Sequence, residues 1–392
     1  MRAHLQPIPV ARRKLADYLE LGREEQIERI RVAAEPLRGA RVLNLSAAGS
    51  RLRPPEALPA LQRDLGIEAG VAVVAGDRAL RRLVRELEDG LLGAETAISD
   101  DAWSAYREVT SGLAAGWDVV IGHGPGPLGV GAGAVRLPFD ASRPDPDAWE
   151  RLRPLVARCA VPTAEYAPPG IEAAQLLEAI DPLASGCVDL PTPLAGSMLR
   201  SLGVDTSRPC CCQLRPFDSW QDPQDVIDAF ELAKAELPHL QLVLAGEEAE
   251  AWGPLREVFD YAREQDDVIL LMGVGDVELN ALRQITRVAL ESALAPTSAV
   301  TTLETLWKRT PVISSGRRGA AHPVRDGVDG YLVDTPEAAA ERLVELVRDP
   351  SLGIELGTSG HELVRARFLV ARQLEDELEL VTAARAATLQ SP

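Results

Sequence analysis

The chain has 392 residues, long enough for two domains that each bury a full core. Hydrophobic residues make up 46% of it and charged residues 26%, which excludes a disordered chain. The formal charge of −18 argues against nucleic acid and anionic membrane surfaces as partners and fits a solvated acidic surface.

Taken in order, the chain starts at Met1 to Pro7 without an apolar stretch of signal-peptide length. No run is long enough to span a bilayer, so the expected location is the cytoplasm. Arg12 to Leu37 reads as a charged, amphipathic helical arm. Arg41 to Ser46 is the first strand, followed by a loop with the single Gly49 and the pair Pro54-Pro55. Glu56 to Leu65 is a helix, Val71 to Gly76 a strand and Asp100 to Ala115 a helix. Val119-Val120-Ile121-Gly122-His123 is a buried strand that runs into Gly124-Pro125-Gly126-Pro127. Pro144 to Glu150 opens a helix.

From Pro209 the pattern alternates strand and helix. Strands are expected at Cys210 to Leu214, Leu240 to Ala245, Val268 to Met272, Val288 to Leu290, Val312-Ile313 and Gly330 to Val333. Helices are expected from Asp222-Pro223 to about Glu236, over Asp276 to Thr286 and over Thr301 to Lys308. Closing helices are expected over Pro336 to Val347, Gly357 to Arg367 and Val370 to Ala383. Such alternation predicts a parallel sheet wrapped by helices, with ligands at the carboxyl ends of the strands. Adjacent cysteines on a strand point to opposite faces, so Cys210-Cys211-Cys212 reads as core packing rather than a metal site or a disulfide. Cys159 and Cys187 read as structural, and no metal or cofactor is expected.

Several stretches carry a resemblance. Glu304, Leu306-Trp307-Lys308 and Thr310-Pro311-Val312 follow a donor-site pattern of Glu-Gly-Phe-Gly-Leu, three residues, Glu-Ala-Leu and then Pro-Val-Val. Gln213, Phe217, Asp218, Trp220, Asp222 and Pro223 follow the pattern Gln-x-Ser-Arg-Phe-Asp-x-Trp-Lys-Asp-Pro. Met272-Gly273-Val274-Gly275-Asp276-Val277-Glu278-Leu279-Asn280 follows Gly-Val-Gly-Asp-x-Glu-x-Asn. His123, Arg136, Asp140 and Ser142 keep the frame of two first-half motifs. These patterns resemble the retaining family 4 glycosyltransferases, and in particular their trehalose synthase group.

The resemblance implies an α/β fold of two Rossmann-like domains facing a cleft, the GT-B architecture, with a C-terminal helix crossing back to the first domain. It divides the chain into a helical arm (1–40), an acceptor-side domain (41–185), a linker (186–208), a nucleotide-sugar domain (209–366) and a closing helix with tail (367–392). It implies nucleotide contacts from Gly275, Asp276, Glu278, Asn280 and Glu304, the last holding ribose hydroxyls. A homodimer, or pairing with an active transferase, is the implied assembly.

The departures fall on the chemistry. The glycine loop is reduced to Gly49, and an acid and an amide after His123 are Gly124 and Gly126. A sugar-facing histidine is Pro138, and the first donor-site glutamate is Pro296. The two cations that hold the pyrophosphate are Pro216 and Gln221. Arg215, Arg317 and Arg318 are the candidates for a replacement clamp, and equally read as surface residues. His123, Arg136 and Asp140 read as remnants of a site. Two functions follow: a homologue with a degraded pyrophosphate site, non-catalytic or strongly altered, serving as a regulatory or partner subunit; or an active retaining hexosyltransferase moving glucose from a nucleotide-activated donor to a sugar acceptor.

Overall fold

Apolar runs without polar alternation make strands covered on both faces. Val119-Val120-Ile121 and Leu242-Val243-Leu244-Ala245 are such runs, and each lies between two parallel neighbours in its sheet. This computed structural model describes every residue but 11, 20, 22–23, 49–56, 125–133, 138–140, 157, 172, 215–216, 218–220, 247–255, 266, 295–297, 317–321 and 391–392, and leaves out the side chains of 24, 257–258 and 387–390. Of the site residues expected from sequence, Asp140, Arg215, Arg317 and Arg318 lie outside the described residues. The chain forms two compact units, residues 1–178 with 370–392, and residues 179–369.

The first unit contains β1 (Ala3–Pro7), α1 (Glu24–Ala34), β2 (Arg41–Ala47), α2 (Ala57–Asp64), β3 (Glu68–Gly76), α3 (Arg78–Leu91), α4 (Asp100–Thr110), β4 (Val119–His123), β5 (Ala134–Arg136), α5 (Pro146–Leu152), β6 (Arg158–Val161) and β7 (Ala173–Gln175). The sheet order is β1-β3-β2-β4-β5-β6-β7. Every pairing is parallel except that of β1, which lies antiparallel on β3 with Ala3 opposite Gly76. The expected arm is therefore not wholly helical. Its first residues form an edge strand, and α1 follows with Ile27, Ile30 and Ala34 buried on one face.

The second unit contains α6 (Thr192–Ser201), β8 (Cys210–Leu214), α7 (Pro223–Lys234), β9 (Gln241–Gly246), α8 (Arg256–Arg263), β10 (Val268–Met272), α9 (Asp276–Ile285), β11 (Val288–Glu291), α10 (Val300–Trp307), β12 (Val312–Ser315), β13 (Gly330–Val333), α11 (Pro336–Arg348) and α12 (Pro350–Arg367). Its sheet is parallel throughout, in the order β10-β9-β8-β11-β12-β13. Local chemistry sets the helix starts. Asp222, Thr335 and Asp349 accept backbone N–H bonds as N-caps, each followed by a proline at the first helical position. The last helix, α13 (Val370–Gln390), belongs to the first unit, where Leu374, Leu378 and Val381 are buried.

All five cysteines are free thiols and buried. Burial pushes the Cys159 and Cys212 thiols up to about 12, and raises those of Cys187, Cys210 and Cys211 as well. The thiolate is the reactive form. A disulfide reagent at pH 8 is expected to label no cysteine in the native chain and all five after denaturation. Rapid native labelling of Cys210, Cys211 or Cys212 would contradict their place in the core.

Candidate functional site

In an open parallel sheet, ligands bind beyond the carboxyl ends of the strands where the strand order reverses. In the first unit that point lies between β2 and β4, and in the second between β8 and β11. His123 is the last residue of β4. It stands in register with Arg136, the last residue of β5, so the two are neighbours.

Both are buried and tied into one hydrogen-bonded chain. His123 Nε2 lies 3.2 Å from Asn44 Oδ1 on β2. Asn44 Nδ2 donates to Gln62 Oε1 on α2 at 3.1 Å. Gln62 Nε2 donates to Glu377 Oε1 on α13 at 3.2 Å, and Arg136 Nη1 donates to Glu377 Oε2 at 3.0 Å. Burial, then the charge of Arg136, hold His123 well below the ordinary histidine range, so it is neutral at pH 7. Burial pushes the Glu377 carboxyl up, opposed by Arg136 and by the Gln62 amide. Asn44, Gln62 and Glu377 carry no sequence signal, because the group spans positions 44 to 377.

In the second unit, the resemblance residues near the nucleotide gather on α9 and α10. Gly275 is the N-cap of α9, and Asp276 and Glu278 stand in its first turn. Asn280 is fully buried, and its Nδ2 donates to the carbonyls of Ser185 and Val188, both at 2.8 Å. Glu304 Oε2 accepts a short hydrogen bond from Arg283 Nη2, and the Arg283 side chain is buried. A Cβ at Gly186 would lie 3.4 Å from Glu304 Oε1 and 3.8 Å from Arg283 Nη1. Residues 185–190 therefore lie directly over these side chains.

The same segment is held elsewhere along its length. Trp307 Nε1 donates to Cys187 O at 3.2 Å, and Lys308 Nζ donates to Val188 O at 2.6 Å. Gln284 both accepts from Leu190 N and donates to Leu190 O. Asn280, Arg283 and Gln284 stand at i, i+3 and i+4, one face of a helix. That spacing was the available signal for Arg283 and Gln284, which the motif reading passed over.

At the carboxyl ends of β11 to β13 lies a cavity of about 30 Å³, lined by Asp225, Glu291, Ser292, Ser315, Asp334 and Thr335 among others. Its described lining holds three carboxylates and no lysine or arginine. Thr302 Oγ1 donates a short hydrogen bond to Glu291 Oε2, and His322 Nε2 lies 4.0 Å from the same oxygen and 3.2 Å from Ser314 Oγ. Gln213 is fully buried in register with Leu244 of β9, and its amide has no hydrogen-bond partner among the described residues. A larger cavity of about 330 Å³ opens at the opposite end, where β8 begins beside Thr206, Arg208 and Thr286. Among the described residues no three His, Cys, Asp or Glu side chains form a metal-binding group, and no helix is long and apolar enough to cross a membrane.

Residues 198–362, within the second unit, match the family model "Glycosyl transferases group 1". The trehalose synthase of Rubrobacter xylanophilus is 31% identical, over 96% of this chain and 98% of its own length. Among solved structures, sucrose-phosphate synthase from Thermosynechococcus elongatus has a TM-score of 0.66 at 14% identity, covering 88% of this chain and 100% of that one. Anabaena Alr3699/HepE in complex with UDP has a TM-score of 0.61 at 14% identity, with the same coverage. The fold is GT-B, built from two Rossmann-like α/β units whose last helix returns to the first. The chain belongs to the trehalose synthase family of group 1 glycosyltransferases.

Proposed function

We propose that this chain is a trehalose-synthase-like glycosyltransferase homologue whose nucleotide-sugar pyrophosphate site is degraded, leaving it non-catalytic or strongly altered. The observation that carries this is electrostatic. Pro216 and Gln221 stand where the family pattern has arginine and lysine. The cavity beside the start of α7 is lined by Asp225, Glu291 and Asp334. Charge builds on the leaving phosphate during transfer, and catalysis needs cations aimed at it. Carboxylates there oppose both donor binding and the transition state.

Glu304 supports the same reading. Its carboxylate is engaged by Arg283, where the family assigns a bond to ribose hydroxyls. Of the nucleoside-side residues Gly275, Asp276, Glu278, Asn280 and Glu304, the first three, at the start of α9, are the part of the site that persists in this proposal. A cytoplasmic location, a homodimer, and pairing with an active transferase or sensing of a sugar metabolite belong to the same reading.

A second reading is favoured by the near full-length similarity to proteins named trehalose synthase. In it the chain is an active retaining hexosyltransferase that moves glucose from a nucleotide-activated donor to a sugar acceptor, with Arg215, Arg317 or Arg318 replacing the clamp. A single-turnover assay with UDP-, ADP- and GDP-glucose and free glucose separates the two. The expected result is no disaccharide above the protein-free control. Transfer at an ordinary enzymatic rate of about 1–1000 s⁻¹ would sink the first reading.

A further inference from the structure

The cavity at the carboxyl ends of β11 to β13 is acidic, and the larger one at the amino end of β8 is not. Its described lining holds Arg208 and Arg287 and no carboxylate, in a chain whose formal charge is −18. One wall is apolar, made by Leu199 of α6, Val204, Leu282 and Ile285 of α9, and Val347 of α11. The volume of about 330 Å³ falls at the lower end of the small-molecule range. A water takes about 30 Å³ of liquid volume, so a lone inorganic ion would leave most of the space unfilled.

The carboxyl ends of α6 and α9 face this cavity, and helix carboxyl ends carry partial negative charge. An arginine that only neutralised such an end would donate to its last carbonyls. Arg287, one residue past the C-cap Thr286, donates to none of them and pairs with no carboxylate among the described residues. Arg208 donates from Nε to His239 O at 3.0 Å, and from Nη2 to Leu240 O and to Asp267. Its Nη1 is left without a partner among the described residues. Lys234 Nζ meets the same Asp267 at 2.8 Å, so two cations share one carboxylate and a net positive charge remains. Asp205, just outside the lining, is taken up by the N–H and O–H of Ser207 at 3.0 and 2.6 Å. Thr206 Oγ1 accepts from Arg200 at 2.9 Å, which leaves its own O–H to donate.

We propose that this cavity binds a small organic anion with an apolar body, its charge held by Arg287 and Arg208 Nη1 and its body against Leu199, Leu282 and Ile285. Phosphate monoesters and carboxylates share that chemistry. The site lies at the amino ends of the strands, away from the donor site, and does not rest on the reading of that site given above. An occupant would lie against the last turn of α9, whose first turn carries Asp276 and Glu278.

Methyl spectra of the full chain, labelled at leucine, valine and isoleucine, test the proposal with phenyl phosphate, benzoate and uncharged benzyl alcohol as probes. Phenyl phosphate or benzoate at millimolar concentration is expected to shift the methyls of Leu199, Val204, Leu282, Ile285 and Val347 saturably. The tighter of the two assigns the anion as a phosphate monoester or a carboxylate. Benzyl alcohol is expected to bind more weakly than either. No saturable shift of these methyls by either anion overturns the proposal. Equal binding of benzyl alcohol also overturns it, because the arginines would then select nothing. Arg287→Ala is expected to weaken anion binding by roughly threefold to tenfold, the loss of one partly exposed charged contact. Arg348, paired with Glu236 at 2.8 Å, is a neighbouring arginine outside the lining. Arg348→Ala is expected to change binding by less than about twofold at physiological salt, where exposed charges are screened. Equal weakening by the two variants overturns the contact with Arg287. If a variant fails to fold, the probe series on the native chain still decides whether the cavity selects an anion.

Discussion

Glu377→Ala is expected to destabilise the first unit by about 3–5 kcal/mol, the loss seen when one partner of a buried ion pair is removed. Glu377 is fully buried and the Arg136 side chain is only 10% exposed, so the remaining guanidinium would stay desolvated without a counter-charge. Gln62 would also lose its acceptor. Glu375, two residues earlier on α13, pairs with Arg29 at the surface, where Arg29 is 59% exposed. Glu375→Ala is therefore expected to change stability little, because water replaces an exposed pair. Exchanging both buried partners, Arg136→Met with Glu377→Leu, is expected to recover most of the loss, since no charge is then left buried. Urea denaturation of the three variants, with hydrogen exchange to assign the effect to the first unit, checks this. Equal effects of Glu377→Ala and Glu375→Ala would contradict the structural weight given to the buried Arg136–Glu377 pair.

The second large effect is a gain. Pro216→Arg with Gln221→Lys is expected to raise affinity for a nucleoside diphosphate by roughly a hundredfold to ten-thousandfold. Each charged hydrogen bond contributes about 1.5–3 kcal/mol. Two of them amount to about 3–6 kcal/mol, at about 1.4 kcal/mol per decade of affinity. Either change alone is expected to produce about half of that in free energy. Transfer activity, if it returns, should respond more strongly than binding, because negative charge grows on the leaving group. A double variant that binds no better than the native chain would mean that the missing cations are not what limits the site.

Much of the second unit was legible because its local signals agree. The strands at Cys210–Leu214, Val268–Met272 and Gly330–Val333 stand where apolar runs place them. Asp222-Pro223 and Thr335-Pro336 mark helix starts through a cap and a proline. The sequence reading begins α12 at Gly357, but the helix begins at Pro350. Two of its glycines serve close packing. A Cβ at Gly357 would lie 2.0 Å from Arg309 O, and one at Gly360 2.7 Å from Leu306 Cδ2. β1 escaped notice because Leu5 is its only strongly apolar residue and the strand is paired along one edge.

The site was legible only in part, and for a different reason. Motif frames brought His123, Arg136 and Glu304 to attention, but a frame says nothing about what each side chain touches. Arg136 is committed to Glu377 and Glu304 to Arg283, and both partners lie outside every motif. Nor does a linker in sequence announce that Ser185 to Leu190 will be bound by Asn280, Gln284, Trp307 and Lys308. Such contacts depend on the tertiary fold, and residue spacing along one chain carries them weakly.

Titration calorimetry of the native chain with UDP, ADP, GDP and their glucose derivatives tests the degraded pyrophosphate site most directly. The account predicts no binding heat up to millimolar ligand, because Pro216 and Gln221 offer no charge to the phosphates and the nearby cavity is acidic. Micromolar binding of any nucleoside diphosphate would contradict it, and would mean that another set of cations holds the pyrophosphate.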